Sequence, residues 1–359
     1  MTKQISGPEY IPAFRVTAEG KDITNALRRS LLSLTLTDYG GTSARADTLK
    51  ITLLSETLPL PSKGARLRLG LGFNDRLTDK GWFVVSDVAS SGPPRKIEIN
   101  ATAAPMNAEK QRGDVLAIKT RSWHDLLLVD LVKTIAGENG LIPRVAACLA
   151  NYHIDHLDQV AESDANLLSR LARELNAVSK PTGGYWLFLK QGSGQTAGGR
   201  PLSAVTITPA QVTRWSYVEK SRGNSTASNG AEKGKESGRV KVRYYDAHDG
   251  KTRVASVEYA GATQENPYTQ PSKKYADLQA KARKAQAVRN ASTMTLSGPC
   301  RLSHIPLTAE CRIVTSGFGR HEDGHWVIES LEFSLGTAGL NYTCSLVIDP
   351  HPAKSTPRR

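Results

Sequence analysis

Residues 49–53 are LKITL, residues 66–71 are RLRLGL and residues 96–100 are KIEIN. Each stretch alternates apolar with polar side chains, which is the period-two pattern of a strand with one buried face. The pattern extends from Phe14 to about Ala104, and turn-forming residues separate the stretches. Residues 1–110 are therefore predicted to form one antiparallel β-barrel or sandwich domain with hairpin connections.

The apolar period changes to that of helices in the middle of the chain. We predict a first helix that begins at Ser122, with Asp125 three residues after this cap, and a second that opens at Ser163 or Asp164. The apolar faces are Leu127, Leu131 and Ile135 in the first helix and Leu167, Leu168, Leu171 and Leu175 in the second. With these two helices, residues 111–182 are predicted to form an α/β insert domain.

Period-two alternation returns after the insert, and residues 183–350 are predicted to form a second β-barrel domain. Two interruptions are expected within it, a flexible loop at 221–238 that lacks large apolar side chains and a basic helix at 272–290. Residues 351–359 resemble a frayed basic tail. Because continuous β/α alternation is absent, the sequence predicts an α+β protein with two separate β-barrels rather than a doubly wound or TIM-type enzyme fold.

The composition is that of an ordinary globular protein. The 359 residues suffice for two or three domains, and 47 Lys and Arg against 34 Asp and Glu give a formal charge of +13, which favours an acidic partner. Residues 1–14 lack the apolar run of a secretory signal, and no apolar stretch approaches the roughly 20 residues that cross a bilayer. We therefore expect a soluble protein without a membrane anchor.

Several side chains are assigned to the interior. Trp82, Phe83 and Trp326 are predicted to pack inside the barrels, and the leucines at 167, 168 and 171 to dock the insert helix. The four cysteines, Cys148, Cys300, Cys311 and Cys344, are widely spread and form no CxxC pair. This spacing favours buried, reduced thiols over disulfides or a zinc site.

One segment matches a catalytic motif. His321-Glu322-Asp323-Gly324-His325 has the H-E-x-x-H spacing in which two histidines bind zinc and the glutamate activates water. That chemistry requires both histidines on one rigid helix, whereas glycines surround this segment and a strand is predicted from Trp326. A β-turn is the favoured interpretation, and a zinc metallopeptidase is kept as an alternative.

Other polar clusters have simpler explanations. His153 and His156 lie beside Asp155 and Asp158, but no further Cys or His nearby completes a metal shell, so we interpret them as surface residues. The glycines at 192–199 lack the Lys-Ser/Thr that a phosphate-binding loop requires, which favours a hairpin loop. No GxSxG elbow is present. No catalytic, cofactor-binding or metal-binding residue is therefore assigned.

The helix predicted at 272–290 is strongly basic and could contact nucleic-acid phosphates. Its cations are Lys273, Lys274, Lys281, Arg283, Lys284 and Arg289. Interleaved exposed aromatics and a known nucleic-acid-binding motif are missing, so a solvated face that attracts an acidic protein partner is favoured. A basic nucleic-acid-binding protein is kept as the second alternative.

Several segments, taken in order, resemble the late control D protein family, the baseplate hub of contractile-tailed phages, which is also similar to the hub part of VgrG spikes. The most specific segment is 162–172, ESDANLLSRLA, which resembles a helix start that recurs in these hubs. The supporting segments are 12–16 with 20–24, 81–88 with 92–94, 121–123 and 324–328. The resemblance spans roughly residues 11–347.

The resemblance implies a structural protein without catalytic residues, cofactor or metal. It implies a homotrimer in which each subunit contributes two tail-tube-like β-barrels, so that the ring matches a sixfold tail tube above and a threefold spike below. The implied partners are the tail tube protein, the tape measure protein, the baseplate wedge proteins and a separate tail spike protein. The implied location is the tail baseplate of a virion or tail-like particle, assembled in the host bacterial cytoplasm.

Overall fold

The computed structural model describes residues 10–40, 45–103, 115–194, 204–219, 237–260 and 263–349. Within these ranges the protein is mostly β. The strands are β1 Pro12–Ala18, β2 Lys21–Asp22, β3 Leu31–Tyr39, β4 Thr48–Leu54, β5 Arg66–Phe73, β6 Arg76–Ser91, β7 Lys96–Ala103, β8 Ile118–Leu127, β9 Ile142–Val145, β10 His153–Ser163, β11 Ala177–Thr182, β12 Tyr185–Lys190, β13 Val205–Ile207, β14 Arg214–Glu219, β15 Ser237–Asp246, β16 Lys251–Ala260, β17 Gln264–Gln270, β18 Ser292–Pro299, β19 Arg312–Thr315, β20 Gly324–Gly336 and β21 Gly339–Ile348.

The α-helices of the described residues are short, apart from the last. They are α1 Thr24–Arg28, α2 Leu128–Glu138, α3 Ala147–Ala150, α4 Asp164–Glu174 and α5 Lys273–Arg289. None of them combines the length and the apolar character that a membrane-spanning helix would need. Of the predicted flexible loop at 221–238, all but the last two residues lie outside the described ranges, as does the whole predicted tail at 351–359.

One large sheet contains most of the strands. Its order is β14-β18-β21-β20-β3-β4-β7-β6-β5-β1-β2, and β13 and β19 attach beside β20. The alternation predicted in the first hundred residues is confirmed, because Leu49, Ile51 and Leu53 are buried and Lys50 is exposed. The apolar faces of both ends of this sheet meet in a single hydrophobic cluster. Burial of this cluster provides the main driving force for the fold.

The strand order of the large sheet repeats. In the N-terminal half neighbouring strands follow the order β3-β4-β7-β6-β5-β1, and in the C-terminal half they follow β14-β18-β21-β20-β19-β13. The pairings are antiparallel except for β13 and β19, which are parallel. The two halves join where β20 pairs with β3. The chain therefore contains two blocks with the same strand order, linked edge to edge, and the direction of β13 is the difference between them.

The segment between the two blocks, which we call the insert, has its own hydrophobic cluster, which includes α2, α4 and the side chains of Trp186 and Phe188. Here β8 pairs with β10, and β12 lies between β9 and β11. The prediction that the first helix begins at Ser122 is wrong, because residues 118–127 form β8 and α2 starts at Leu128. Pairing with β10 decides this, and the Ser122 hydroxyl donates to Asp158 across the strands at 2.6 Å instead of capping a helix.

The second helix of this segment is confirmed, together with its cap. The Ser163 hydroxyl accepts a hydrogen bond from the backbone N–H of Asn166, which satisfies one of the free donors at the start of α4. The leucines 167, 168, 171 and 175 are all buried. Gly183 and Gly184 both have positive φ and form the tight hairpin between β11 and β12.

A third hydrophobic cluster lies under α5, which packs on the sheet of β16, β15 and β17. Strands β15 and β16 form a hairpin across Asp249-Gly250, and the predicted basic helix is confirmed as α5. Its cations are not all free, since Arg289 is buried at 1% exposure.

The interior assignments are confirmed for Phe83 and Trp326, which are 2% and 3% exposed. Trp82 is only half-buried, because neighbouring strand residues point to opposite faces and Arg68 lies 5.5 Å from the Trp82 ring. Three cysteines are buried, but Cys148 in α3 is exposed, which corrects the prediction for that thiol.

Candidate functional site on the polar face of the large sheet

The most extended feature of the molecule is the face of the large sheet that points away from the hydrophobic cluster. It runs without interruption across eight strands from β14 to β6. Its side chains are mostly hydroxyls and amides, at Ser216, Thr293, Thr295, Ser297, Asn341, Thr343, Ser345, Ser330, Ser334, Thr35, Thr37, Thr48, Asn100 and Thr102. We call these side chains, with Lys50, Lys96, Arg214, Asp87, Glu98 and Glu332, the hydroxyl face.

The charges on the hydroxyl face are few and balanced. Glu98 accepts from Lys96 and lies 3.1 Å from Lys50. The hydrogen bonds from these two lysines lower the pKa of Glu98. With Glu332 and Asp87 as the other acids and Arg214 as the third cation, the face contains three cations and three anions. Such a surface offers hydrogen-bonding groups without a net charge, and it presents no arrangement of nucleophile and base that could perform catalysis.

The hydroxyl face is continuous because β20 and β3 pair, so this joint positions the two blocks. Phe333 of β20 lies opposite Leu36 of β3, and both are buried. The ammonium group of Lys80 lies 4.5 Å from the centre of the Phe333 ring and donates to the carbonyls of Ile305 and Leu307. Burial lowers the pKa of Lys80 to about 8. The joint is thus an internal contact with a buried cation against its aromatic ring.

The side chains of the segment Glu162-Ser163-Asp164 have structural roles. Asp164 is fully buried and accepts from Lys119 at 2.6 Å and from Arg121 at 2.8 Å. Amide groups of Gln159 and Asn139 also donate to it. Burial alone would raise the pKa of Asp164, but these hydrogen bonds outweigh it and hold the pKa below its usual value.

The network around Asp164 ties β8, β10 and α2 to the start of α4. Glu138 of α2 contacts both Lys119 and Arg121, at 3.0 and 2.8 Å. Glu162, at the end of β10, pairs with Arg170 of α4 at 2.9 Å. This segment therefore stabilises the insert, and its carboxylates are occupied by protein partners.

Residues 321–323 of the HEDGH segment form a turn, as the sequence predicts, and Gly324 and His325 begin β20. The Asp323 carboxylate accepts from the backbone N–H groups of Gly317 and Phe318, both at 2.9 Å. These bonds lower the pKa of Asp323. His325 belongs to a strand and His321 to the turn, so they do not share a helical face. Among the described residues no group of three or more potential ligands is arranged to hold a metal ion.

The histidines of β10 lie on the surface, as predicted. His153 contacts Asp155 and Asp125, each at 2.8 Å, and His156 stacks against His124 across the strand pair. Lys274 of the basic helix donates to the backbone carbonyl of His153 at 3.0 Å. One of the cations assigned to possible phosphate contacts is therefore used to dock α5 on the insert. The predicted glycine loop is described only up to Gly194.

A half-buried lysine connects the insert to the N-terminal block. Lys180 of β11 donates to Asp38 at 3.1 Å and to Asp47 at 2.7 Å. Burial raises the pKa of the Asp47 carboxyl to about 6, and repulsion from Asp38 acts in the same direction. Lys180 opposes this shift but has to serve two carboxylates. Asp38 and Asp47 compete for the single ammonium group of Lys180. The contact of Asp47 between the insert and the N-terminal block is therefore sensitive to protonation.

We expect Asp47 to make stability depend on pH. Its raised pKa means that the folded state binds the proton more tightly than the unfolded chain, so the contribution is full below the ordinary pKa of 3.8 and is lost as the pH rises through about 6. The variant Asp47→Asn should therefore lack that fall in the free energy of unfolding, measured by urea titration at several pH values.

The matched control for this pH series is Asp249→Asn. The hydrogen bond from Arg253 lowers the pKa of Asp249, so its contribution is lost as the pH falls rather than as it rises. Parallel pH profiles of the wild type and of Asp47→Asn would contradict the role of Asp47.

Sequence reasoning did not find the hydroxyl face. The signal was present, because the polar positions of the alternating strands are repeatedly Ser or Thr, as in Thr35-Leu36-Thr37 and Thr293-Met294-Thr295. That signal is ambiguous, since Thr is common in strands for its shape alone. Only the strand order shows that these positions share one face.

The comparisons with known proteins agree with one another. A family model described as phage tail baseplate hub (GPD) matches residues 115–339. The probable baseplate hub proteins of Escherichia phages 186 and P2 are 36% and 35% identical over 222 residues, which is 62% of this chain and 56% of each relative. The match thus spans little more than half the length of these curated relatives.

Solved structures show a similar fold at low identity. A 43 kDa tail protein of prophage MuSo2 from Shewanella oneidensis has a TM-score of 0.67 at 12% identity and covers 94% of this chain and 98% of its own. A tail protein from Neisseria meningitidis MC58 has a TM-score of 0.65 at 13% identity, with 95% and 97% covered. An E. coli component of the type VI secretion system has a TM-score of 0.54 at 11% identity, with 94% and 79% covered.

Proposed function

Because the chain belongs to the phage tail baseplate hub family, we propose that it is the structural hub of a contractile phage tail or tail-like particle. In this role it is a homotrimer that joins a sixfold tail tube to a threefold central spike. It works by shape and symmetry and catalyses no reaction. Its place is the baseplate of the virion.

The observation that supports this proposal best is the repeated strand order of the large sheet. Two blocks with one strand order, joined edge to edge, let a single chain occupy two successive positions of a ring. Three chains then present six similar blocks, which is the symmetry match that an adapter between a sixfold and a threefold structure needs. We propose that each block is a tail-tube-like β-barrel.

The hydroxyl face fits the inner surface of such a ring. Short Ser and Thr side chains with balanced charge give a polymer no strong attachment point, so a tape measure protein or a nucleic acid could pass along it. The excess positive charge of the chain would then lie elsewhere, for example on α5. The proposed neighbours are the tail tube, spike, tape measure and baseplate wedge proteins.

We propose the following division of the chain. The first block corresponds to the predicted domain 1–110, and the insert to 111–182, with strand β12 added because Trp186 and Phe188 pack in the insert cluster. The second block occupies the remainder up to about residue 350, and the sheet of β15–β17 with α5 projects from it as a small unit with a separate core.

The oligomeric state tests the proposed function. Light scattering of the purified full chain should give three times the 38.9 kDa mass of one subunit. With the spike protein present, the complex should contain three copies of the chain together with the bound spike. Salt should be kept near physiological strength, because a basic chain can bind nucleic acid non-specifically at low salt. A stable monomer at micromolar concentration in the presence of the spike protein would contradict the hub proposal.

A further inference from the structure

Four strands of each block correspond residue by residue, namely β3, β4, β7 and β6 in the first block and β14, β18, β21 and β20 in the second. In the first block, β6 has one extra residue, Ser86, between Val85 and Asp87, whose partners on β7 are consecutive. In the second block, β20 has one extra residue, Glu329, between Ile328 and Ser330, whose partners on β21 are consecutive. A β-bulge is specific to its position in a sheet, so Ser86 and Glu329 mark the same point of the two blocks.

Counting along the paired strands from this bulge extends the correspondence. Ala101 on β7 matches Leu346 on β21, and their partners Leu49 and Met294 therefore match on β4 and β18. On the next strand Leu36 of β3 matches Tyr217 of β14. The strand β3 in the first block is thus equivalent to β14 in the second.

The equivalent strands β20 and β6 differ in the pairing partners of their second halves. The second half of β20 pairs with β3, which closes the joint between the blocks. Among the described residues, the second half of β6, Asp87–Ser91, pairs only with β7, and β14 pairs only with β18. The large apolar side chains Trp215 and Val218 of β14 are 41% and 48% exposed. One chain therefore contains one complete joint, the pairing of β20 with β3, and the two strand edges that a second joint of the same kind requires.

From this correspondence we propose that Asp87–Ser91 of one subunit pairs antiparallel with β14 of the next copy of the chain. The pairing of β20 with β3 gives the register of the proposed contact between subunits. Glu332 lies opposite Thr37 and Phe333 opposite Leu36 in that joint. The equivalent pairs between subunits are Ala89 with Val218 and Ser90 with Tyr217.

The side chains at this second joint suit a contact between subunits. Ser90 takes the place of Phe333, and Tyr217 takes the place of Leu36, so the apolar pair of the internal joint is replaced by a small hydroxyl beside a phenol. The Tyr217 hydroxyl donates to Ser292 at 3.2 Å, and its ring lies against Trp326. Small side chains at 89–91 let the two backbones approach. Main-chain hydrogen bonds then provide much of the binding.

Pairing of one edge with a different edge is a head-to-tail contact, which generates a ring when the rotation closes. It would also cover strand edges that otherwise invite aggregation. The inference rests on the trimeric ring proposed above, and it names the residues through which that ring closes. The hydroxyl face would then continue from one subunit to the next around the whole inner surface.

Disulfide trapping tests the register. In a Cys148→Ser background, which removes the exposed thiol, the pairs Ala89→Cys with Val218→Cys and Ser90→Cys with Tyr217→Cys are introduced separately into the full chain. Directly opposite residues of antiparallel strands have Cα atoms about 4.5 or 5.5 Å apart, within disulfide reach. Mild oxidation should convert most of the chain into covalent trimers on a non-reducing gel.

The control is Ala89→Cys with Tyr217→Cys, whose side chains would point to opposite faces of the sheet. It should yield less than about one tenth of the product of the matched pairs. Light scattering of each reduced variant keeps the outcomes separate. A trimer in which the matched pairs link no better than the control would overturn the proposed joint while leaving the hub proposal intact. Monomeric wild-type protein would overturn both.

Discussion

Replacing Asp164 with alanine is expected to destabilise the insert by about 3 kcal/mol. Asp164 is fully buried and holds Lys119 and Arg121, whose side chains are 30% and 26% exposed. Removal of the carboxylate leaves the two cations close together, with Glu138 as the carboxylate that both still contact. This value is the lower end of the usual destabilisation for a broken buried ion pair, because both cations remain partly hydrated and still contact Glu138. Urea unfolding followed by tryptophan fluorescence measures the change, since Trp186 lies in the same cluster.

The matched control for Asp164→Ala is Glu258→Gln. Glu258 also pairs with an arginine, Arg239, at 2.8 Å, but its side chain is 66% exposed. A surface pair of this kind contributes between nothing and about 1 kcal/mol. Equal losses in the two variants would show that burial and the shared contacts of Asp164 do not matter, and the structural role assigned to the ESD segment would be wrong.

The second large effect is expected at the joint between the blocks. Phe333→Ala should cost about 4 kcal/mol, because it removes a 1% exposed ring, opens a cavity against Leu36 and deprives the buried Lys80 ammonium of its aromatic neighbour. Calorimetry should show a lower unfolding temperature. Since the joint orients the two blocks, the covalent trimers of the disulfide experiment should also become fewer.

Tyr268→Ala is the control for this aromatic truncation, because Tyr268 is 74% exposed. Its loss should change stability by less than about 0.5 kcal/mol. If Phe333→Ala behaved like Tyr268→Ala, the contact between β20 and β3 would not hold the two blocks together.

Local patterns predicted much of the secondary structure. The alternation of residues 49–53 and the Ser163 cap each act over a few residues, and each was confirmed. The first helix was misplaced because Ser122 and Asp125 have a capping spacing, while the partner that makes them a strand is β10, some 30 residues away. A local pattern cannot report a distant partner.

By itself the sequence determined the period of each strand and helix, the position of the ESD helix and the resemblance to phage hubs, because these follow from neighbouring residues. Only the tertiary structure decided that Thr35, Thr295 and Thr343 share one face, and that Ser86 and Glu329 are equivalent bulges. These relations depend on which strands pair and in what register. That choice results from burying one common apolar face, which depends on all the strands together.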